Sequence, residues 1–133
     1  MDLRENRGRG LYLEICCLEL TVFVGALLSY PGHASFVVQL MEGILHYRDG
    51  HHKEIFAVLN GFAEIHKDKV LILAESAELA KEVDEERARQ AHQKAKELLA
   101  IRDADLDLEE ASAALRRAAV RLKVAEFRRN HKL

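Results

Sequence analysis

Basic side chains near the C-terminal end of this 133-residue chain are the group best suited to bind a charged partner. Four of them recur at spacings that an α-helix brings close together: Arg116, Arg117, Arg121 and Lys123. The stretch from Glu75 to Glu86 is acidic, and the formal net charge of the whole chain is only −2. This balance gives no case for nucleic-acid binding, which requires a strongly basic surface. The cluster instead predicts a local contact with an acidic partner, and a merely solvated charged face is the alternative.

Other side chains with reactive chemistry give weaker signals. His51 and His52 follow a turn, but two adjacent imidazoles without further acids or thiols make a poor metal site. Cys16 and Cys17 lack the spacing of a zinc or redox motif, so we interpret them as small packing residues in a reducing compartment. No Ser-His-Asp arrangement, Gly-rich phosphate loop or carboxylate pair stands out in the sequence. We therefore expect neither catalysis nor a metal site.

The basic cluster lies in the second of two segments with the apolar spacing of α-helices. No Gly or Pro follows residue 74, and apolar residues there recur every three or four positions. The first stripe consists of Ala88, Ala91, Ala95 and Leu98, and the second of Leu108, Ala111, Leu115, Ala118, Leu122 and Ala125. Asp84 and Asp107 are predicted N-caps, with Glu110 as the partner of Asp107 in a capping box. The break at 102–107 predicts an antiparallel helical hairpin, and its thin Ala-rich stripes would let it open.

The residues before 74 have the pattern of β-strands. Turns are predicted at Gly25, Pro31-Gly32, Gly43, Asp49-Gly50 and Asn60-Gly61, with Asp49-Gly50 as the hairpin signal. The runs predicted as strands are Phe36 to Leu40, Ile44 to Arg48, Ile55 to Leu59, Phe62 to Ile65 and Val70 to Leu73. The chain is thus predicted to be an α+β protein with an unassigned extension at 1–10, a β domain at 11–75 and a helical domain at 76–133.

The apolar segment from Leu11 to Tyr30 admits two interpretations. Three arginines precede it, as in a signal peptide or a membrane anchor. Glu14 and Glu19 interrupt it, however, and a membrane-spanning helix tolerates central charges poorly. Residues such as Val22 and Phe23 favour the extended state, so strands are the preferred interpretation.

Several short motifs follow one another in a fixed order along the chain. Pro31-Gly32-His33-Ala34 precedes the run from Ala57 to Ile65. Further on come Ala74 to Glu78, Val83 to Ala88, Leu115 to Ala118 and Arg121 to Glu126. In this order they resemble the epsilon subunit of bacterial F-type ATP synthases over roughly Gly25 to Arg129. The resemblance implies an antiparallel β-sandwich followed by a two-helix antiparallel hairpin.

The β region departs from the family pattern. Phe23-Val24-Gly25 runs almost directly into Pro31-Gly32-His33, so a strand and its turns are missing by comparison with the family. Asn60 stands where the family tends to have Gly. We therefore expect a truncated sandwich with an exposed edge, which invites pairing with another chain.

The resemblance implies a non-catalytic rotor subunit in the central stalk of a proton-translocating ATP synthase, which couples proton flow to ATP synthesis. The implied partners are the gamma subunit, the membrane rotor c-ring and, when the C-terminal helices extend and inhibit ATP hydrolysis, the catalytic alpha and beta subunits. No nucleic acid is implied. The location would be peripheral, on the cytoplasmic face of the plasma membrane. The alternative is a stand-alone ATP-sensing adaptor, or a degenerate paralogue that does not assemble into a synthase.

The resemblance also implies roles for charged residues. Some epsilon subunits bind ATP as a regulatory ligand, not as an obligatory cofactor, through an Ile/Leu-Asp-x-x-Arg-Ala motif that Val83 to Ala88 matches with Val in the first place. The implied ATP-binding residues are Glu78, Asp84, Arg87, Lys94, Arg117 and Arg121, with Lys94 in the place of an arginine. The inhibitory contacts to acidic loops of beta would come from Arg116, Arg117, Arg121 and Lys123. In the alternative interpretation Asp84 only caps a helix and the other charges are solvated.

Overall fold

The computed structural model describes residues 4–6, 10–14, 17–22, 25–29, 33–49, 51–67, 69–101 and 103–131. They form two compact units, of which the first ends at Leu79 and the second begins at Ala80. We call them the β unit and the helical unit. The sequence predicts this division between residues 75 and 76. In the structure it comes four residues later, because Ser76 to Leu79 still pair with Leu59 to Phe56 in the sheet.

The β unit contains seven described strands in one antiparallel sheet. They are β1 (Arg4–Asn6), β2 (Gly10–Glu14), β3 (Cys17–Val22), β4 (Gly25–Ser29), β5 (His33–Asp49), β6 (His52–Lys67) and β7 (Lys69–Leu79), in the spatial order β1-β2-β7-β6-β5-β3-β4. The described parts of the apolar segment at 11–30 are strands, as the preferred interpretation of that segment predicts. β1 lies in the extension at 1–10 that the sequence leaves unassigned.

The strands β5, β6 and β7 are longer than the strands that the sequence predicts for the same residues. β5 joins the first two predicted strands, and β6 joins the next two, so Gly43 and Asn60-Gly61 do not reverse the chain. The residues Asn60 (φ 48°) and Gly61 (φ 146°) bend the backbone inside β6 instead. A Cβ at Gly61 would collide with the Leu73 carbonyl oxygen and the Ala74 Cα of β7, so close approach of two strands requires glycine there.

The bend at Asn60-Gly61 changes which side chains face the core. Before it Phe56 and Val58 are buried in the core cluster, and after it Ala63 and Ile65 are. The full cluster is Leu40, Leu45, Tyr47, Phe56, Val58, Ala63, Ile65, Val70, Ile72 and Ala74. The predicted hairpin is confirmed, since Asp49 of β5 pairs with His52 of β6 across the turn. The residues of this cluster all lie on β5, β6 and β7.

The helical unit consists of α1 (Glu85–Ile101) and α2 (Leu108–His131), joined by the predicted short break. Both predicted N-caps are confirmed. The backbone N–H of Arg87 donates to Asp84 Oδ1 (3.0 Å), and that of Glu110 donates to Asp107 Oδ1 (3.1 Å). No helix in the described part of the chain is long and apolar enough to span a membrane.

The apolar stripes of the two helices agree only partly with the prediction. In α2, Ala111, Ala118 and Ala125 are buried as predicted, whereas Leu108 is 55% exposed because it opens the helix. In α1, Ala88 and Ala95 are buried but Ala91 and Leu98 are exposed, which corrects the predicted stripe. The half-buried positions of α1 are His92 and Leu99 instead, together with Glu85 at the start of the helix. The face of α1 that contains His92 and Leu99 has spacings of four then three residues, whereas the predicted stripe has spacings of three then four. The apolar pattern of the sequence fits both faces.

Several sequence predictions fall outside the described residues. They concern Cys16, the Phe23-Val24 pair, Pro31-Gly32, Gly50 and Arg102. The predictions made there remain predictions.

Candidate functional site

The N-terminus of α1 is the centre of the motif from Val83 to Ala88. Asp84 is exposed, and its Oδ1 accepts the Arg87 N–H while its carbonyl accepts the Ala88 N–H (3.0 Å each). The cap satisfies a backbone donor at the helix start that otherwise has no partner. The guanidinium-bearing side chain of Arg87 is exposed. A ligand at the N-terminus of α1 would therefore contact the Asp84 carboxylate, which already caps the helix.

The residues of the implied ATP site are distributed over both units. Glu78 lies on β7 in the β unit, where Ser76 Oγ donates to its Oε1 at 3.4 Å. The other five belong to the helical unit: Asp84, Arg87, Lys94, Arg117 and Arg121. Arg87 and Lys94 stand seven residues apart on α1 and are both exposed, so they lie on one side of that helix. Of the four cations of the implied site, Arg87 and Lys94 are on α1 and Arg117 and Arg121 are on α2.

The predicted basic cluster of α2 is split into two rows. Arg116 and Lys123 are exposed and seven residues apart, whereas Arg117 and Arg121 are half-buried and four apart. Arg117 Nη2 donates to Glu110 Oε1 at 2.6 Å. The Glu110 carboxylate therefore binds Arg117, and only the Asp107 half of the predicted capping box is described. The sequence predicts one cluster of four cations, and in the closed hairpin these form two rows on different sides of α2.

Both ends of the hairpin meet at a set of contacts that sequence reasoning missed. Arg128, near the end of α2, donates through Nη1 to the carbonyl oxygens of Ala80 (3.0 Å) and Val83 (3.1 Å), just before α1. Arg129 Nη1 lies 3.1 Å from Glu85 Oε1, which also accepts Arg89 Nη2 at 3.0 Å. An arginine that binds backbone carbonyls more than 40 residues away leaves no local pattern in a sequence.

An exposed apolar patch lies on the β unit, on the sheet face opposite the core. Phe62 (53% exposed) and Leu73 (50%) are direct register partners on β6 and β7. Val37 (66%) lies on β5, two positions from the residue that pairs with Phe62. Their neighbours Ala63 and Ile72 point into the core. Exposed apolar side chains that lie side by side on one sheet face form a candidate protein-binding surface. We call these three residues the sheet patch.

Metal chemistry has no support in the described part of the chain, where no three His, Cys, Asp or Glu residues come together as ligands. His51 is exposed at the tip of the β5–β6 hairpin.

Both units match models of one protein family. Residues 14–80 match the β-sandwich domain of the ATP synthase delta/epsilon chain, and residues 81–126 match its long α-helix domain. The chain belongs to the ATP synthase delta/epsilon family. The border between the two matched segments falls within one residue of the division between the two compact units. The fold class predicted from the sequence, a β-sandwich followed by a two-helix hairpin, is confirmed.

Curated relatives of the chain are ATP synthase epsilon chains from several bacteria. The epsilon chain of Herpetosiphon aurantiacus is 43% identical over 100 residues, which cover 75% of this chain and 74% of the relative. That of Symbiobacterium thermophilum is 41% identical over 102 residues (76% and 73%), and that of Dehalococcoides mccartyi is 41% identical over 108 residues (80% and 77%). The resemblance to bacterial epsilon subunits that the sequence motifs indicate is confirmed. The prediction of a non-catalytic subunit of ATP synthase is confirmed with it.

Solved structures support the fold. A chain in the Euglena gracilis mitochondrial ATP synthase, in a structure of its OSCP, F1 and c-ring, superposes with a TM-score of 0.73 at 24% identity, covering 84% of this chain and 70% of that one. A chain in the central stalk and c-ring structure of the Tetrahymena thermophila enzyme gives a TM-score of 0.53 at 18% identity, covering 82% and 79%. At these identities the likeness concerns the fold alone.

Proposed function

We propose that this chain is the epsilon subunit in the central stalk of a proton-translocating F-type ATP synthase. Its β unit binds the gamma subunit and the membrane rotor c-ring. Its helical unit is a mobile arm that inhibits ATP hydrolysis when it extends toward the catalytic alpha and beta subunits. The location that follows is peripheral, on the cytoplasmic face of the plasma membrane. Family membership and the similarity to bacterial epsilon chains over both units support this proposal.

The sheet patch is the observation that carries the anchoring role. Val37, Phe62 and Leu73 are each at least half exposed on a face of the sheet whose other side is a packed core. Burying apolar surface is favourable in most protein–protein association. A rigid sheet with an uncovered apolar face can bind gamma without first rearranging, so little ordering free energy opposes the complex.

The anchoring role is tested by co-purification of the chain with gamma. We expect Phe62→Glu to abolish the stable complex, because it places a charge in the centre of the sheet patch, which the complex would bury. Ile101→Glu is the matched control: it also adds a carboxylate at an exposed apolar position (68% exposed), but on α1. Equal loss of the complex in both variants, or no loss in either, would refute binding through the sheet patch.

The helical unit has the properties of an arm with two docking states. Its inner stripes are mostly alanine, so closing the hairpin buries little area and its stability depends on what it docks against. A continuous helix from Asp84 to Arg128 would reach roughly 65–70 Å at about 1.5 Å per residue. Two states with such similar contacts can lie within a few kcal/mol, as a switch requires.

The two basic rows of α2 suggest how the extended arm acts. Arg116 and Lys123 are exposed in the closed hairpin, and Arg117 and Arg121 flank its apolar stripe. Opening the hairpin would present all four to acidic loops of the beta subunits. We expect deletion of residues 107–133 to raise ATP hydrolysis by the assembled enzyme. Inhibition by the full-length chain should weaken as salt screens these contacts. An unchanged hydrolysis rate after the deletion would remove the inhibitory role.

ATP binding to the closed hairpin is the second candidate function. It is favoured by the exposed Arg87 in the first turn of α1 and by the exposed Lys94 about two turns further along the same side of the helix. We expect Arg87→Gln to weaken ATP binding by the isolated chain at least tenfold, since it removes a charge-assisted contact to phosphate. The control is Arg89→Gln on α1, an arginine that already pairs with Glu85 and Glu86. Titration of the wild-type chain without any ATP-induced change would eliminate the site.

The assembly test also decides the alternative of a stand-alone ATP sensor. A chain that forms no complex with gamma, while ATP still slows hydrogen exchange in α1 and α2, would be such a sensor. A stable gamma complex is the result that supports the rotor subunit.

A further inference from the structure

The contacts of Arg128 fasten the last turns of α2 to the segment that precedes α1. Its Nη1 donates to two carbonyl oxygens, Ala80 O at 3.0 Å and Val83 O at 3.1 Å. Ala80 and Val83 are each only 3% exposed, and Arg128 itself is half-buried. Both hydrogen bonds are partly buried, and the two carbonyls lie just before the first helical residue. Carbonyl groups shielded from water require hydrogen-bond partners within the protein. A side chain from the far end of the hairpin supplies that partner.

The neighbouring contact has a different character. Arg129 also reaches the start of α1, where its Nη1 is 3.1 Å from Glu85 Oε1, but its side chain is 59% exposed. Exposed ion pairs contribute little because water and salt screen them. Hydrogen bonds from a cation to partly buried carbonyls are stronger, and removing the guanidinium while the hairpin stays closed leaves both carbonyls without this partner. Arg128 and Arg129 therefore form a natural pair for comparison, with equal charge and unequal contacts.

We propose that Arg128 is a latch that sets the fraction of molecules with a closed hairpin. When α2 leaves α1, the guanidinium and both carbonyls lose their partners together, so the segment at 80–84 and the last turns of α2 are released in one step. Arg128 thereby couples the segment at 80–84, which precedes α1, to the last turns of α2. It is a positioning role: the residue acts by holding α2 in place and need not touch any partner subunit.

The isolated full-length chain provides the first test, by hydrogen exchange of the amides at 118–124 in the middle of α2. We expect Arg128→Gln to speed their exchange about tenfold or more, as loss of charge-assisted hydrogen bonds implies. Arg129→Gln should change it less than threefold. Amides of β6 and β7 serve as the internal reference and should not change. A less than threefold effect of Arg128→Gln, or an equal effect of both variants, would overturn the latch.

The assembled enzyme provides a second readout that mere loss of helix stability would not reproduce, and this readout rests on the proposed inhibitory arm. A released arm inhibits more, so Arg128→Gln should lower ATP hydrolysis at least twofold, whereas deletion of residues 107–133 should raise it. Hydrolysis that rises or stays the same in Arg128→Gln, while the deletion raises it, would overturn the latch. A deletion without effect would refute the inhibitory arm instead, and the exchange experiment would still decide on the latch.

Discussion

The β unit and the helical unit bury different kinds of side chain. The largest fully buried residues of the β unit are Leu45, Tyr47, Ile65 and Ile72, which pack in one core between long paired strands. In the described helical unit the buried positions are alanines together with Val83 and Val124. Because stabilisation follows the apolar area removed from water, the hairpin gains much less per residue than the sheet does. The chain thus combines a stable β unit with a helical unit whose closed hairpin is only weakly favoured.

The largest expected effect concerns the bend that brings β6 and β7 together. Gly61→Val should lower the free energy of unfolding of the β unit by about 3 kcal/mol or more, since the φ of 146° and the collision with β7 both oppose a side chain. Asn60→Gly is the control, and it should change this free energy by less than about 1 kcal/mol, because asparagine tolerates a positive φ and the extra freedom of glycine in the unfolded chain offsets the relief. Chemical denaturation followed by the sheet signal measures both. An unchanged free energy of unfolding in Gly61→Val would contradict tight packing of β6 against β7 at this position.

A core truncation in each unit sharpens the comparison further. Ile72→Ala should destabilise the β unit by about 2–5 kcal/mol through the cavity that it leaves. Val124→Ala removes less volume and should cost about 1–2 kcal/mol, but this loss falls on a hairpin with few other large contacts. Hydrogen exchange should therefore show α2 opening in Val124→Ala under native conditions, while the sheet stays protected in Ile72→Ala. Protected α2 amides in Val124→Ala would contradict a weakly closed hairpin.

The two helix caps should have a clear effect on amide exchange in the helical unit, although each contributes little free energy. Asp84→Ala and Asp107→Ala each remove a cap worth about 0.5–2 kcal/mol, and amide exchange at the start of α1 or α2 should rise accordingly. Asp105→Ala is the control, because the described contact of Asp105 is through its backbone N–H to Asp103 Oδ1 (3.2 Å). Equal exchange rates in the Asp107 and Asp105 variants would mean that the cap is not needed to hold α2.

The smallest expected effect is loss of the ion pair on the surface of α2. Glu110→Gln should cost less than about 1 kcal/mol, since both partners are partly exposed (28% and 65% of their side chains). The effect should shrink further at high salt. Thermal unfolding at two salt concentrations measures it. A loss of several kcal/mol would mean that the hairpin depends on this pair and not on its inner stripes.

Sequence patterns predicted the features that depend on neighbouring residues. Asp84 and Asp107 cap helices because a short side-chain oxygen reaches the N–H three residues on, whatever surrounds it. The same patterns could not distinguish a turn from a bend inside a strand, so Asn60-Gly61 was assigned to the wrong one. Both uses require a positive φ, and only pairing with β7 decides between them.

Features that depend on tertiary contacts were beyond the sequence pattern. The exposure of Phe62 follows from its register with Leu73 across the sheet, and each strand alone fits either face. The face of α1 that meets α2 was assigned to Ala91 instead of His92, because adjacent spacings of three and four fit equally well. No sequence pattern singles out Arg128, because its hydrogen bonds to Ala80 and Val83 form only when α2 packs against α1.

The contrast between a firm sheet and a weakly closed hairpin is tested most directly by native-state hydrogen exchange of the unmodified chain, resolved by residue. The account predicts that the amides around Ile65 and Ile72 exchange only through global unfolding. It also predicts that the amides at 118–124 open with a free energy lower by at least about 2 kcal/mol. Equal opening free energies in the two units would contradict it, because the hairpin would then be as firmly closed as the sheet is folded.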